Sequence, residues 1–387
     1  MSKVFDLNWF DKKFLPTERF VVNALFRKRI SDVPNKNSEE ELLQYAGQNG
    51  VSALLYKKLS SRGDQSLFQD VLSKLKNEYL KTLVLNTNLL NKASEINTVL
   101  SEEGFSLVFL KGILLAPFLY RDLALRPMSD IDLLVPDKDV KRAYDLLISK
   151  GAVPADPLEK DHVSNHHLPM IMFKSAPVEV HRFLTPKDSD YFIPPEDIFS
   201  NKISWSNEKM TLPGPSFTDA FIYMSIHVYY TFLRGGMRLS WMYDFYLLSM
   251  HEDKVVDIRS GEFRERVKEW GAEYPVRFIT VLLSLLSGEK PEDNDWNKDK
   301  KLLQDISLAA SFFRNVPDDS VLFSYRLIWE QVKNTKGLKN KLNIFKTKLF
   351  RRSDENVIIR FWKLLSRFMG MFYNSLMLTI NRLLRRY

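Results

Sequence analysis

The segment at residues 126–136, RPMSDIDLLVP, is an apolar run that contains two aspartates and ends at a proline. A short apolar run with such a boundary is typical of a buried β-strand. Side chains alternate between the two faces of a strand, so Asp130 and Asp132 should share one face, about 6.6 Å apart along the strand. Ile131 and Leu133 should face the core. Two carboxylates this close repel each other unless a cation lies between them, which favours a divalent metal site.

The residues before this strand distinguish a metal site from a strand edge with two solvated aspartates. FSLVFL, 105–110, predicts another buried strand, ILLAPFLYRD, 113–122, predicts a helix, and Gly112 lies at the turn between them. Backbone amides at such a turn can bind phosphate. Lys111 adds a cation beside the turn, and Arg126 adds a bidentate donor before the second strand. The pattern therefore favours a phosphate site next to the aspartates.

A third carboxylate follows in APVEVHRFL, where Glu179 stands between two valines. Alternation predicts that Glu179 and His181 share the polar face of this strand. If the strand lies beside the one that carries the aspartates, then Asp130, Asp132 and Glu179 form a cluster that can bind one or two divalent ions.

These motifs resemble a known signature. LKGILLAPFLYRDLALRPMSDIDLLV, 110–135, is similar to the signature of the DNA polymerase β-like nucleotidyltransferase superfamily. It resembles more closely a family of bacterial nucleotidyltransferases usually described as uncharacterised, whose acidic residue, apolar residue and histidine are matched by EVH at 179–181. The resemblance covers residues from about 40 to 250, including HVYYTFLRGGMRLSWMYDFYLL at 227–248.

The resemblance implies a reaction and a set of site residues. The reaction is transfer of a nucleoside monophosphate from an NTP to an unidentified hydroxyl-bearing acceptor (a small molecule, protein or glycan precursor), with release of pyrophosphate. The catalytic and metal-binding residues would be Asp130, Asp132 and Glu179, with Mg²⁺ or Mn²⁺ as cofactor. Gly112 would contact the nucleotide. Independently of the resemblance, we expect Lys111, Arg126 and Ser129 to contribute to nucleotide binding, and His166, His167 and His181 to contact substrate or to hydrogen-bond to the metal ligands.

One position departs from the superfamily. Many members have a second glycine or a serine at the turn, whereas Ile113 follows Gly112 here. The alternative function is therefore a catalytically inactive nucleotide-binding or scaffold protein.

The periodicity as a whole predicts an α+β fold, with a small mixed-sheet nucleotidyltransferase core embedded in mostly helical N- and C-terminal regions. We expect a helical region at 1–99, the core at 100–190, a helical substrate or lid region at 191–340 and a basic amphipathic tail at 341–387. In the N-terminal region the sequence predicts a helix pair with a capping box between Ser38 and Glu41, followed by a long helix over 67–103. In the core it predicts a helix capped by Asp137 and two strands around an Ala176–Pro177 turn. Further on it predicts helices interrupted at Gly235 and Gly236.

Several polar residues in the chain have more than one interpretation. His162, His166 and His167 in DHVSNHHLPM could bind zinc, line the mouth of the active site or lie in a solvated loop. His227 lies in an apolar helix, which favours a core histidine. Arg238 and Asp244 match polar positions of the family or form a buried ion pair between helices.

Composition limits the functional classes further. The chain has no cysteine, which excludes disulfides and thiolate metal sites. Its start has no continuous apolar h-region, and we expect a cytoplasmic protein. The net charge of +8 is concentrated in residues 341–387, which hold eleven Lys or Arg and two acidic residues. Nucleic acid is therefore an improbable partner for the body of the protein.

The C-terminal tail has a basic stripe, Arg360, Lys363 and Arg367, on an apolar helix. It can dock on the body, contact a membrane surface peripherally through residues 353–387, or bind a partner protein or RNA. The sequence does not determine the oligomeric state.

Overall fold

A computed structural model of the protein describes residues 6–27, 38–61, 69–155, 166–185 and 189–314. These residues form thirteen α-helices and seven β-strands, and the α+β class is confirmed. The basic tail and His162 lie outside the described residues. Within the described residues, no helix is both long and apolar enough to cross a membrane. The division of the chain into four regions stays a prediction.

Five helices precede the sheet: α1 (Leu7–Asp11), α2 (Pro16–Phe26), α3 (Glu39–Gln48), α4 (Ser52–Ser60) and α5 (Gln69–Glu102). The predicted helix pair is confirmed as α3 and α4, and the predicted long helix as α5. The predicted capping box is wrong, because no side-chain hydrogen bond caps α3 at Ser38 and the Glu41 carboxylate instead accepts a hydrogen bond from Thr17.

The sheet carries the site. Its elements are β1 (Val108–Leu110), α6 (Gly112–Phe118), β2 (Ile131–Leu134), α7 (Val140–Ser149), β3 (Ala152–Pro154), β4 (Ile171–Phe173) and β5 (Ala176–His181). The strand order is β1-β2-β5-β4-β3. Only the β2–β5 pair is parallel, and the other three pairs are antiparallel. The prediction that the glutamate strand lies beside the aspartate strand is confirmed.

Two local predictions in this region are wrong. Asp137 does not cap α7, because the helix begins three residues later with Asp139 at its N-cap position. Asp137 instead forms an ion pair with Arg182, with 3.5 Å between the charged atoms. The turn between β4 and β5 is formed by Lys174 and Ser175, which both have positive φ angles, so Ala176 and the proline after it belong to β5.

The elements after the sheet are α8 (Pro195–Ser200), a hairpin of β6 (Ile203–Ser206) and β7 (Thr211–Gly214), and then α9 (Phe217–Leu233), α10 (Leu239–Ser249), α11 (Gly261–Glu269), α12 (Glu273–Ser287) and α13 (Lys300–Arg314). The break predicted at Gly235 and Gly236 is confirmed as the connection between α9 and α10. The hairpin was not predicted from the sequence.

Trp205 fixes the hairpin against the helix that follows β1. Its side chain is buried, its Nε1 donates a hydrogen bond to the Pro215 carbonyl at 2.9 Å, and its ring packs edge-on against Phe118 of α6. A Cβ on Gly214 would lie only 2.5 Å from this indole. The glycine therefore allows the close approach of the two strands that positions α6.

Candidate active site

The acidic cluster is created by strand register. Asp132 of β2 lies directly opposite Glu179 of the parallel neighbour β5, and it lies opposite Leu110 of the antiparallel neighbour β1. Lys111 follows Leu110 and therefore lies close to Asp132. Since Glu179 and His181 are two residues apart on β5, both project toward Asp132.

Both oxygens of the Asp132 carboxylate have cationic or imidazole partners. Oδ1 lies 2.8 Å from His181 Nε2, and Oδ2 lies 3.1 Å from Lys111 Nζ. The Asp132 side chain is only 3% exposed. Burial alone would raise the pKa of Asp132, but the Lys111 charge and the His181 hydrogen bond outweigh it and lower that pKa well below its ordinary value. Asp132 is thus an ionised, buried carboxylate.

His181 bridges the two carboxylates. Its Nε2 lies 2.8 Å from Asp132 and 3.4 Å from Glu179 Oε2, whereas its buried Nδ1 has no hydrogen-bond partner among the described residues. Burial opposes the charged imidazole, but the hydrogen bonds to Asp132 and Glu179 raise the pKa of His181 above its ordinary value. The same His181 contact lowers the pKa of Glu179. The histidine therefore holds both carboxylates in their ionised form.

Asp130 is less buried than Asp132 and differs from it in protonation. Its carboxylate accepts a hydrogen bond from the exposed Ser129 at 3.1 Å. Partial burial and the nearby Asp132 charge raise the pKa of Asp130. The two aspartates that look equivalent in the sequence are therefore one strongly ionised group and one group that takes up a proton more readily.

The donor atoms fit a divalent cation. Among the described residues, the one group suited to a metal is Asp132, Glu179 and His181, whose ligand atoms lie within 4.8 Å of one another. This group differs from the predicted ligands by including His181, and the proposed contribution of Asp130 stays a prediction. Two carboxylates suit Mg²⁺ or Mn²⁺, and an imidazole nitrogen favours the transition metal over Mg²⁺.

The turn between β1 and α6 has an unusual backbone. Lys111 has φ 53° and ψ −125°, in a region that L residues rarely adopt. Helix α6 begins at the next residue, and Ile113 is 1% exposed, with its side chain in the core. Ile113 therefore does not project from the turn. Helix α6 has only seven residues, and the predicted phosphate contact at this turn stays a prediction.

Gly112 is required by packing against Arg126. A Cβ at this glycine would lie 2.6 Å from the Arg126 Nη1 atom and 3.1 Å from Met128 Cγ. The Arg126 guanidinium is already paired, because Nε and Nη2 contact the buried Asp244 carboxylate at 2.8 and 2.9 Å. Nη1, beside the glycine, is the nitrogen that this ion pair does not use. The proposed nucleotide contacts of Gly112, Arg126 and Ser129 stay predictions.

The Asp244 carboxylate also accepts a hydrogen bond from Tyr120 at 2.7 Å. The buried ion pair considered for Asp244 is therefore formed with Arg126. Arg238 instead lies over the Trp241 ring, 5.7 Å from its centroid. The Tyr120, Arg126 and Asp244 side chains tie α10 to the segment that leads into β2.

The histidines at 166 and 167 lie beside the acidic cluster. His167 forms an isolated β-bridge with His181, and their ring centroids are 5.5 Å apart. The centroids of His166 and His181 are 6.0 Å apart. Partial burial and the neighbouring imidazoles lower the pKa of His166 to about 4, so it is neutral at physiological pH. Both rings are placed to contact a ligand of the cluster, which stays a prediction.

Helix α9 supplies residues that the sequence did not assign to the site. Tyr223 is buried and lies beside the Lys111 ammonium. His227 is the exposed residue of an otherwise mostly buried helix, so the prediction of a core histidine is wrong. Although the side chain is solvent-exposed, the protein around the ring and the Lys111 charge lower the pKa of His227 below its ordinary value. The spacing of four residues between Tyr223 and His227 places both on one helix face.

Asn86 of α5 was also missed. Its side-chain amide donates to the carbonyls of Leu123 and Arg126, and its Oδ1 accepts from the backbone amide of Met128 at 3.2 Å. Asn86 is fully buried and fixes the loop that carries Arg126 into β2. No sequence signal distinguished it, because an asparagine in a long helix is ordinarily solvated.

The family model described as "Uncharacterised nucleotidyltransferase" matches residues 35–288, more than half of the chain. The protein therefore belongs to this family of nucleotidyltransferases, as the motif resemblance predicted. No curated protein is significantly similar to the chain.

Proposed function

We propose that the protein transfers a nucleoside monophosphate from an NTP to a hydroxyl-bearing acceptor and releases pyrophosphate. The observation that carries the proposal is the register that places Asp132 opposite Glu179 on parallel strands. It brings two ionised carboxylates and the Lys111 ammonium to one point. That arrangement suits a triphosphate whose negative charge must be offset during phosphoryl transfer.

The residues present have separable roles in this reaction. Asp132 and Glu179, with Asp130 or His181, would hold a divalent ion, which when bound offsets charge on the phosphate oxygens. Lys111 adds a positive charge beside the reacting phosphate. The acceptor oxygen forms a bond to the α-phosphorus while the bond from that phosphorus to the bridging oxygen breaks. Asp130 is the carboxylate best suited to accept the hydroxyl proton, since its pKa is raised.

The alternative of an inactive protein was motivated by Ile113. Because this side chain packs in the core, it does not fill the space beside the turn. In the proposed reaction, the cationic groups of Lys111 and Arg126 supply the phosphate contact that the second small residue of the superfamily turn provides. Measured turnover distinguishes the enzyme from the inactive nucleotide-binding protein.

The test uses each of the four NTPs labelled at the α-phosphorus, with Mg²⁺ or Mn²⁺ and a lysate as the source of acceptors. Label should enter an acceptor with the intact protein. Asp132→Asn and Glu179→Gln preserve shape and remove a charge, and each should reduce transfer by about 10²-fold or more. Asp145→Asn is the matched control, because Asp145 is an aspartate of α7 that is 56% exposed.

Two results would count against an enzyme. One is the absence of label transfer under every combination of nucleotide and metal. The other is equal transfer by the wild type, Asp132→Asn and Asp145→Asn proteins, which would assign the label to a contaminating activity. Bound nucleotide without turnover would support the inactive nucleotide-binding alternative.

A further inference from the structure

The number of cations in the site follows from the partners of Asp132. Sites with two metal ions need bridging oxygens, with the ions about 3.5–4 Å apart. Here Asp132 Oδ2 is already 3.1 Å from Lys111 Nζ, and Oδ1 is 2.8 Å from His181 Nε2. The part of the chain that the structure describes contains one group of side chains suited to a metal. A second ion at Asp132 would have to displace the ammonium.

Lys111 is held in place by its backbone and by its surroundings. A non-glycine residue at φ 53° is strained, and such strain persists only where neighbouring structure fixes it. The side chain is 21% exposed, and its Nζ lies 3.1 Å from Asp132 Oδ2, with the buried Tyr223 beside it. The ammonium is therefore held against the buried Asp132 carboxylate.

We propose that the Lys111 ammonium takes the place of one of two metal ions and that the site binds a single divalent ion. The identity of the site rests on the proposed nucleotidyl transfer. The ion would bind the Asp132 and Glu179 carboxylates, and His181 Nε2 would become a ligand by releasing the proton that it shares with them. The built-in cation would stabilise negative charge on the phosphate from the β1 side of the site.

The experiment counts bound ions without any nucleotide. The full-length, metal-free protein is titrated with Mn²⁺ while electron paramagnetic resonance measures the free ion. The wild type should bind one Mn²⁺ per chain. Lys111→Met keeps an unbranched side chain that is one atom shorter and removes its charge, and it should bind two. Lys111→Arg keeps the charge and should bind one.

Lys174→Met is the matched control, because Lys174 also has a positive φ and pairs with a carboxylate, Glu95, outside the site. It should bind one ion. Circular dichroism checks that each variant is folded. If Lys111→Met does not fold, Lys111→Gly removes the charge and suits the backbone, and it should also bind two ions.

Two ions in the wild type, no ion in the wild type, or one ion in a folded variant without the charge would each overturn the inference. Because the count needs no nucleotide or acceptor, its result is independent of turnover. If the ion counts are as expected but no label is transferred, the single-ion site stands and the proposed function is rejected. If label is transferred but the ion counts differ from those expected, the proposed function stands and the role of Lys111 is rejected.

Discussion

Replacing Asp244 by asparagine should destabilise the protein, because it removes the charge of a buried carboxylate. The Asp244 side chain is 1% exposed and accepts hydrogen bonds from Arg126 Nε, Arg126 Nη2 and Tyr120 Oη at 2.8, 2.9 and 2.7 Å. Asp244→Asn keeps the shape, removes the negative charge and leaves the Arg126 guanidinium, which is 11% exposed, without a counter-charge.

The magnitude follows from this burial. Removing one partner of a buried ion pair costs about 3–5 kcal/mol, because the other charge stays buried without compensation. Some water reaches Arg126, so we expect the lower end of that range, about 3 kcal/mol. The amide oxygen of the new asparagine can still accept one hydrogen bond, which also limits the loss.

The assay is urea unfolding followed by tryptophan fluorescence, with equal m-values required for the comparison. Asp253→Asn is the matched control, because Asp253 forms an ion pair with Arg121 at the surface. The Arg121 side chain is 74% exposed and the Asp253 side chain is 61% exposed. An exposed pair contributes at most about 1 kcal/mol. The difference between the two variants therefore measures the effect of burial on the same pair of residue types.

Replacing all three side chains of the network tests whether an unpaired buried charge causes the loss of stability. Tyr120→Phe, Arg126→Met and Asp244→Leu together remove every buried charge and hydroxyl of the network, and this apolar combination should regain most of the stability lost in Asp244→Asn. The reasoning fails if Asp244→Asn is no more destabilising than Asp253→Asn. It also fails if the triple variant is less stable than the single one.

Three further predictions concern other parts of the chain. Asn86→Leu leaves buried backbone groups without partners, and it should lower the free energy of unfolding in urea by about 2–4 kcal/mol. Asn88→Leu, at an exposed position of the same helix, should lower it by less than about 0.5 kcal/mol. Gly214→Ala places a methyl group 2.5 Å from a buried indole and should cost about 1–3 kcal/mol, whereas Gly261→Ala has nothing within 4 Å and should be tolerated. In liposome flotation with anionic lipid, deletion of residues 353–387 should abolish membrane association, and an unchanged result would remove the proposed surface contact.

Local patterns predicted the elements of the fold well where the periodicity was strong. The long helix α5 (Gln69–Glu102), the helices on either side of Gly235 and Gly236, and the two acidic strands are confirmed. Cap residues were harder, because several side chains compete for each helix start and tertiary contacts decide among them. Asp137 forms an ion pair with Arg182 instead of a cap. The hairpin of β6 and β7 was not predicted.

For the site, the sequence identified the carboxylates but could not identify their partners. Asp130, Asp132 and Glu179 are recognisable because charges inside apolar strands are unusual. Tyr223 and His227 lie far along the chain in a helix whose pattern is that of a core element, and only the packing of α9 against the sheet brings them to Lys111. Their contribution depends on contacts between distant segments, which alternation and periodicity within one segment cannot encode.

The two aspartates of RPMSDIDLLVP show that position in the sheet gives two residues of the same type different burial and different protonation. Asp132 pairs with a strand on each side, so it is buried and meets Lys111 and His181. Asp130 precedes β2, has the Ser129 hydroxyl as a neighbour and keeps access to solvent. One carboxylate is therefore fixed as an anion and the other can exchange a proton. The proposed in-line transfer needs both a fixed charge that organises cations and a group that accepts the hydroxyl proton. The proposal assigns these two roles to Asp132 and Asp130, which have a single residue between them.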